Sequence, residues 1–557
     1  MTGKVLALGA LAAWALAAQT AATNASVSGV VKDRIAGQPL AGYSVTTYTG
    51  VTWAGDMVRM GRNSQEVTST TDSSGRYKLA DLPPGSYRIV VRDAQHSGND
   101  LTRRVLVAGR DLENIDFGVL VDGTISGKVV DENREPVPGV WVRLISREYY
   151  LGNLGYFFSP STAQTNDLGE YTLTRVRPGR PFLIMVEKFE RNLPAHSEVP
   201  LDPKLRKRVP VRTWYPDSPS RDGAGAVTLR PGERREGVDI GLKKSPSYCV
   251  EGKAEGPMGA AALGFGIEAM QPSSGLSNNG GSYSVTPGGV TGADGKFRIC
   301  ELYPGVYRLS VQDANRNPQA APSYGVTEIA IADRDLHDVK VLAVPGKPLD
   351  GEVAWDGEPP ATPETGKVSV SLAPLYRTSF ANERGGARPD IPGTFTIDGV
   401  FPDDYSVRAI LNAPGIYVKD VTYAGRGVLY EPLRMGTAMS GAGLRVAVAH
   451  DGATLSIQVT GKDGNPGSDL RVLVMPAEVP SEAVLASRLV QGQTDQLGQY
   501  TSQTLAPGKY YVMATEDAVD PTPESMGRLW RARDRFQEVE LPPSGTARVK
   551  LEPGKIE

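Results

Sequence analysis

The chain has 557 residues, 40% of them hydrophobic, with 63 glycines, 42 prolines, two cysteines, four histidines and a formal net charge of −3. That length exceeds one core and suits roughly three to five domains, and so much Gly and Pro on an apolar background points to short strands and tight turns rather than disorder. The near-neutral charge excludes a chain-wide footprint for nucleic acid or an anionic membrane, and the few His and Cys leave little room for metal chemistry.

The N-terminus reads as a signal peptide over residues 1–22. Lys4 heads an apolar run from Val5 to Ala18, which is too short for a comfortable membrane span. Ala15-Leu16-Ala17 and Thr20-Ala21-Ala22 offer small-x-small cleavage patterns. The alternative is an uncleaved anchor. No later segment reaches ~18 consecutive apolar residues, so no transmembrane segment is expected in the mature chain. The mature protein is expected to be secreted, periplasmic or at the cell surface.

The first unit, 24–120, opens on SVSGVVKDRIAGQPLAGYSVTTY. It continues through TTDSSGRYKL (70–79) to LADLPPGSYRIVV (79–91) and closes on VLVAGRDLENIDFGV. Asp72 and Gly75 fit the ends of a type I turn. Pro84-Gly85 fits the centre of a type II turn, with Gly85 supplying the positive φ. Tyr87, Ile89 and Val91 then alternate with Ser86, Arg88 and Val90, as one face of a strand does.

The same pair of turns recurs downstream. Gly75 and Gly85, Gly169 and Gly179, Gly295 and Gly305, and Gly498 and Gly508 are each ten residues apart. A degraded copy, GTFTIDGVFPDDYSVRAI, spans 393–410. Five units follow: 24–120, 121–245, 246–345, 346–450 (divergent) and 451–557. A period near 100 residues with about seven short strands predicts an all-β chain of tandem β-sandwiches, each with its own core. Only SEAVLASRLV (481–490) has helical periodicity, enough for a turn or two in a loop.

The second unit carries REYYLGNLGYFFSP (147–160), read as a Gly-containing loop presenting Tyr149, Tyr150, Tyr156, Phe157 and Phe158. VRTWYPD adds Trp214 and Tyr215. Aromatic faces of this kind hold sugars by stacking on C–H surfaces, so these seven residues are the candidate ligand-binding set. The alternative is that they pack the sandwich or an interface between units.

In the third unit, Cys249 and Cys300 both face outward from their strands. In an oxidising compartment a disulfide between them is expected, closing a loop of about 50 residues worth ~4 kcal/mol; the alternative is two separate thiols. Asp72, Asp167, Asp294 and Asp495 lack the alternating ligands of a calcium loop and read as turn formers. His96, His196, His337 and His450 have no zinc-ligand spacing and read as surface loop residues. The basic runs KLRKR (204–208) and RLWRARDR (528–535) read mainly as solvated faces, with contact to an anionic polymer as the alternative. No cofactor, metal site or catalytic motif is expected.

Taken together, SGxVxDxxxxPxxGxxV, TDxxGxYxL and LPPGxY resemble the carboxypeptidase regulatory-like domain. That resemblance implies a prealbumin-like, carbohydrate-binding-like sandwich, immunoglobulin-like in outline and related to the B-type repeats of collagen adhesins. It spans nearly all of the mature chain, best in units one and two and weakest in unit four. It implies a non-catalytic module. The lysine–asparagine isopeptide bond of some adhesin relatives is not expected, because Lys32 and Glu187 lie in different units. The expected function is a secreted or periplasmic non-enzymatic array, a jointed rod that binds carbohydrate or another surface polymer, or serves adhesion or spacing. The expected partner is a glycan or a cell-surface protein. One alternative is an extracytoplasmic accessory subunit of an outer-membrane transporter or surface enzyme; a remoter one is a secreted hydrolase.

Overall fold

The computed structural model describes residues 24–54, 57–93, 101–150, 152–188, 199–256, 259–262, 265–270, 288–313, 323–361, 366–375, 384–411, 413–436 and 441–556. The proposed leader, His96 and His196 lie outside these residues. Strands make up 57% of the structure and helices 6%, which makes the chain all-β.

The two turns of the repeat set the architecture. Gly75, Gly169, Gly295 and Gly498 all have φ between 69° and 77°. A Cβ at these positions would lie 2.4–2.5 Å from the carbonyl oxygens of Val31, Val129, Ala254 and Val459 respectively. Glycine is needed twice over here, for its φ and for the close approach. The Asp72 carboxylate accepts from the amides of Ser74 and Arg76, and Asp495 accepts from Leu497 and Gln499. In the second unit the equivalent acceptor is Asn166, bonded by Leu168 and Glu170, so the expected role of Asp167 passes to its neighbour.

The Pro-Gly corner differs from its expected form. Gly85 does not have positive φ and begins the strand Gly85–Asp93. The left-handed residue lies four positions earlier, at Asp81 (φ 58°), with Arg175 (59°) and Glu301 (63°) in the matching places; in the second unit Gly179 (74°) is left-handed as well. The pairing of the opening strand with the strand ending at Leu82 shifts register beside it. This is a bulge, which bends the strand and increases its local twist.

The aromatic after the corner has a definite task. The hydroxyl of Tyr87 donates to the carbonyl of Pro83 at 2.6 Å, Tyr307 to Tyr303 at 2.9 Å, Tyr405 to Phe401 at 3.1 Å and Tyr510 to Ala506 at 2.8 Å. Each ring is buried in its sandwich core while its polar tip ties the corner. The second unit has Phe182 near this place and lacks the tie.

Every sandwich has the same plan. The opening strand lies between an antiparallel strand from the first turn and a parallel closing strand. In the first sandwich these are Ala25–Asp33, Arg76–Leu82 and Phe117–Val119, facing a second sheet ordered Met57–Thr70, Tyr43–Ala54, Gly85–Asp93, Leu101–Val107. Val27, Val31, Leu79, Ile89, Val105 and Phe117 fill the space between. Four further cores of this kind lie around Ile125 and Leu144, Val250 and Leu309, Val353 and Val407, and Ile457 and Val512.

The small residue of the SGxV pattern serves the opening strand. A Cβ on Gly29, Gly127 or Gly252 would sit 2.0–2.2 Å from the carbonyl oxygen of Ile115, Val238 or Val339. Only glycine lets the closing segment lie this near.

Candidate binding surfaces

The aromatic insertion of the second sandwich is not a loop. Strands Trp141–Tyr150 and Asn153–Gln164 pair antiparallel from Tyr150↔Asn153 to Trp141↔Gln164. Gly152 (φ 78°) turns the tip. Val142 and Leu144 point into the core, so alternation sends Ile145 and Tyr149 to the outer face. Tyr156 and Phe158 pack there against Ile145, Met185 and Trp214. Trp214 is only 2% exposed. The Arg221 guanidinium lies 3.9 Å from the Tyr156 ring centre, and Arg143 lies 5.1 Å from that of Phe158. Tyr215 packs on the sandwich core. Phe157 is buried, with Tyr150 edge-on to it at 6.1 Å. Of the seven candidate residues only Tyr150 is exposed, at 39%. Tyr149, Tyr156, Phe158 and Tyr215 are half-buried, and Phe157 and Trp214 are buried.

The tip of this hairpin reaches other sandwiches. Tyr149 packs against a satellite cluster of the fifth that includes Leu485, Met526 and Leu529. Its amide donates to Pro521 at 2.6 Å, and the Gly152 amide donates to the Ser487 hydroxyl at 2.6 Å. A Cβ on Gly152 would lie 2.4 Å from the Tyr430 carbonyl of the fourth sandwich. Strands Trp141–Tyr150 and Asn153–Gln164 thus form an arm lodged where the second, fourth and fifth sandwiches meet.

Other seams are polar. Arg206 forms two 2.7 Å bonds to Asp335, which also accepts from the Cys249 amide, joining the second and third sandwiches. Arg208 pairs with Glu132. Arg206 and Arg208 of the KLRKR run are thereby engaged within the chain, while Lys204 and Lys207 are exposed. Cys249 and Cys300 are bonded to each other, fully buried beneath Val199. Lys32 pairs with Asp116 and Glu187 with Arg212, both within their own sandwiches. His337 lies 3.2 Å from Glu251, and His450 contacts the Glu358 carbonyl. Among the described residues no group of three or more His, Cys, Asp or Glu side chains is placed to hold a metal, and no helix is long and apolar enough to cross a membrane.

The first and fifth sandwiches touch directly. The Gln496 side chain accepts from the Leu106 amide at 3.1 Å and donates to its carbonyl at 2.8 Å. Arg103 donates to Ser468, and Arg34 pairs with Glu516. Asp469 sits in this seam, accepting from Gln493. Burial pushes its carboxyl up to about 6, against the pull of Arg103, Arg34 and Arg471 and with the push of Glu516. A raised carboxyl favours the folded state below its folded value, and that contribution is lost as pH rises through about 6. Asp469→Asn, which mimics the neutral acid, is expected to stabilise the protein by ~2 kcal/mol near pH 8 and to change little near pH 4. Thermal unfolding at both pH values checks this; a gain of equal size at both contradicts it.

A pocket of about 110 Å³ lies on the fifth sandwich, lined by Met475, Pro476, Val479, Leu485, Tyr511, Trp530 and Arg533 among others. It is roofed by two short helices, α1 (Glu482–Arg488) and α2 (Pro523–Ala532). RLWRARDR is mostly the end of α2, with Met526 and Leu529 inward and Arg531 and Arg535 exposed. The signal for α2 stands in the sequence as Thr522-Pro523-Glu524. Threonine caps the helix by accepting from Ser525, and proline fits its first position. The Arg533 guanidinium covers one face of Trp530 at 4.5 Å.

Residues 26–119 match the carboxypeptidase regulatory-like domain family. The regulatory-like match coincides with the first sandwich, whose glycine and tyrosine corners the other sandwiches share in part. Among solved structures the chain is similar to the Bacillus anthracis TIE protein (11% identity, 74% of this chain and 69% of that chain, TM-score 0.15). It is also similar to the minor pilin GBS52 of Streptococcus agalactiae (15%, 40% and 96%, 0.23) and to the full-length major pilin RrgB of Streptococcus pneumoniae (9%, 96% and 100%, 0.16). Scores this low carry no argument about role. No curated protein matches the chain.

Proposed function

We propose that this is a secreted or periplasmic, non-enzymatic β-sandwich protein that works as a spacer or adhesion body, its five units bounded at 24–120, 121–245, 246–345, 346–450 and 451–557. The observation that carries this reading is the fifth sandwich, which bonds to the first through Gln496, to the second through Ser487 and to the fourth through Thr504. Buried polar groups are used to hold units together, in Arg206–Asp335 and Arg308–Asp403, rather than gathered in a cleft. These bonds support a locked arrangement over a freely jointed rod. The buried disulfide supports an oxidising compartment. Glycan or surface-polymer contact falls in this reading to exposed Tyr150 and to Tyr511 and Trp530, which line the fifth-sandwich pocket.

Small-angle scattering of the full chain tests the locked body. Gly152→Val places a side chain against the Tyr430 carbonyl and is expected to dislodge the arm, increasing the maximum dimension while circular dichroism stays unchanged. A wild-type chain that scatters as a freely jointed string, identical to the variant, refutes the reading.

A further inference from the structure

In every sandwich the chain enters on one strand and leaves on that strand's parallel neighbour. Val31–Asp33 pair with Phe117–Val119 in the first. Thr124 and Ile125 pair with Arg234 and Arg235, and Val129 and Val130 with Ile240 and Gly241, in the second. Gly252–Glu255 pair with Val339–Leu342 in the third, Gly351–Trp355 with Leu444–Val448 in the fourth, and Thr454–Val459 with Thr546–Leu551 in the fifth. All of these pairs are parallel. The entry point of each sandwich therefore lies at one end of the pair and the exit at the other.

Pulling on the chain slides two such strands along each other. Their hydrogen bonds are evenly spaced, so the whole row is strained at once. Pulling across the row would break the bonds one by one. We propose that the chain is built to carry tension from one end to the other, each sandwich acting as a clamp loaded in shear.

A second set of observations falls on the same seam. Carboxylates of the closing segments latch the amides of the opening strands. Asp111 accepts from Ser26 at 2.7 Å and Asp116 from Val30 at 2.9 Å. Asp239 accepts from Lys128 at 2.8 Å, and Asp335 from Cys249 at 2.9 Å. Gly29, Gly127 and Gly252 admit the closing segment to within contact of the opening strand. In the first three sandwiches, then, the glycine of the opening strand and the aspartates of the closing one converge on the pair that shear would load.

The contact between the fifth and first sandwiches yields before the clamps. It rests on the exposed Gln496–Leu106 pair and the Arg34–Glu516 ion pair, whose side chains are 43% and 74% exposed, with one partly buried bond from Arg103 to Ser468. Exposed pairs of this kind hold little. Tension releases length from the closure first and meets the sandwiches afterwards. This inference rests on strand topology and stands whether or not the chain binds a glycan.

Single-molecule pulling of the full chain tests it, with handles on introduced cysteines, the native pair being buried. Handles at Thr454→Cys and Glu552→Cys load the fifth clamp in shear. Handles at Thr454→Cys and Thr546→Cys sit at the same end of the pair and peel it. The two proteins share one fold and one stability and differ only in the direction of force, to which forced unfolding responds through its rate. The shear geometry is expected to hold to a several-fold higher force than the peeling geometry. Equal forces overturn the proposal. Handles at the two ends of the described chain are expected to show an early low-force extension before any sandwich unfolds. Its absence overturns the reserve of length.

Discussion

Asp403→Ala is expected to cost about 3–5 kcal/mol at the seam between the third and fourth sandwiches. Asp403 accepts from Arg308 at 2.7 Å, and the side chains are 4% and 9% exposed. The Asp404 amide donates to the same carboxylate at 2.9 Å, and the Tyr324 hydroxyl lies 3.5 Å away. The Tyr324 and Phe401 rings close the site at 5.3 Å. Burial pushes the Asp403 carboxyl up, and Arg308 with the Asp404 amide only partly pulls it back. The charged pair is therefore held at a desolvation cost; the buried carboxyl favours the folded state while it is protonated, and that contribution is lost as pH rises through its raised folded value. Removing only the acid takes away the buried countercharge of Arg308, which is the costly case. Replacing both, as Arg308→Leu with Asp403→Leu, is expected to recover most of the loss, because buried pairs and apolar isosteres are often of similar worth. Hydrogen exchange over residues 302–313 and 400–410 reads the seam locally. A single variant as well protected as wild type, or a double variant worse than the single, contradicts the argument.

Replacing Cys249 and Cys300 together by alanine is expected to cost about 4 kcal/mol, from freeing a loop whose ends are 51 residues apart. The loss should spread beyond the third sandwich. Val199 of the second packs on the two sulfurs, and its carbonyl accepts from Arg298. Asp335 links the Cys249 amide to Arg206. Loosening the bridge therefore loosens the site at which the second sandwich docks. The unfolding midpoint of the double variant, compared with wild type under non-reducing conditions, checks this. An unchanged midpoint contradicts it.

Much of each sandwich could be read from the chain itself, because its signals are local. Gly75 and its equivalents stand where a left-handed residue meets a carbonyl, and the outward direction of Cys249 and Cys300 followed from strand alternation. Other features escaped for physical reasons. The positive φ assigned to Gly85 belongs to Asp81, since a bulge spreads the bend over more residues than a turn template allows. The hairpin around Gly152 read as a loop because its glycines and adjacent aromatics mask the period of two. Trp214 looked available because burial by a neighbouring element leaves no mark in the sequence. Pairs such as Arg206–Asp335 and Arg308–Asp403 join residues 129 and 95 positions apart, and nothing in either local stretch names its partner.

The amide of Gln496 mimics a backbone, meeting both the N–H and the C=O of Leu106 on Leu101–Val107, the border strand of its sheet. A border of this sort is a template for further strands. Once the fifth sandwich swings away or is trimmed off, that template stands bare, and a neighbouring molecule can supply the missing cap. The same contact that keeps one chain folded on itself thus also occupies, at Leu106, a place where another strand would pair.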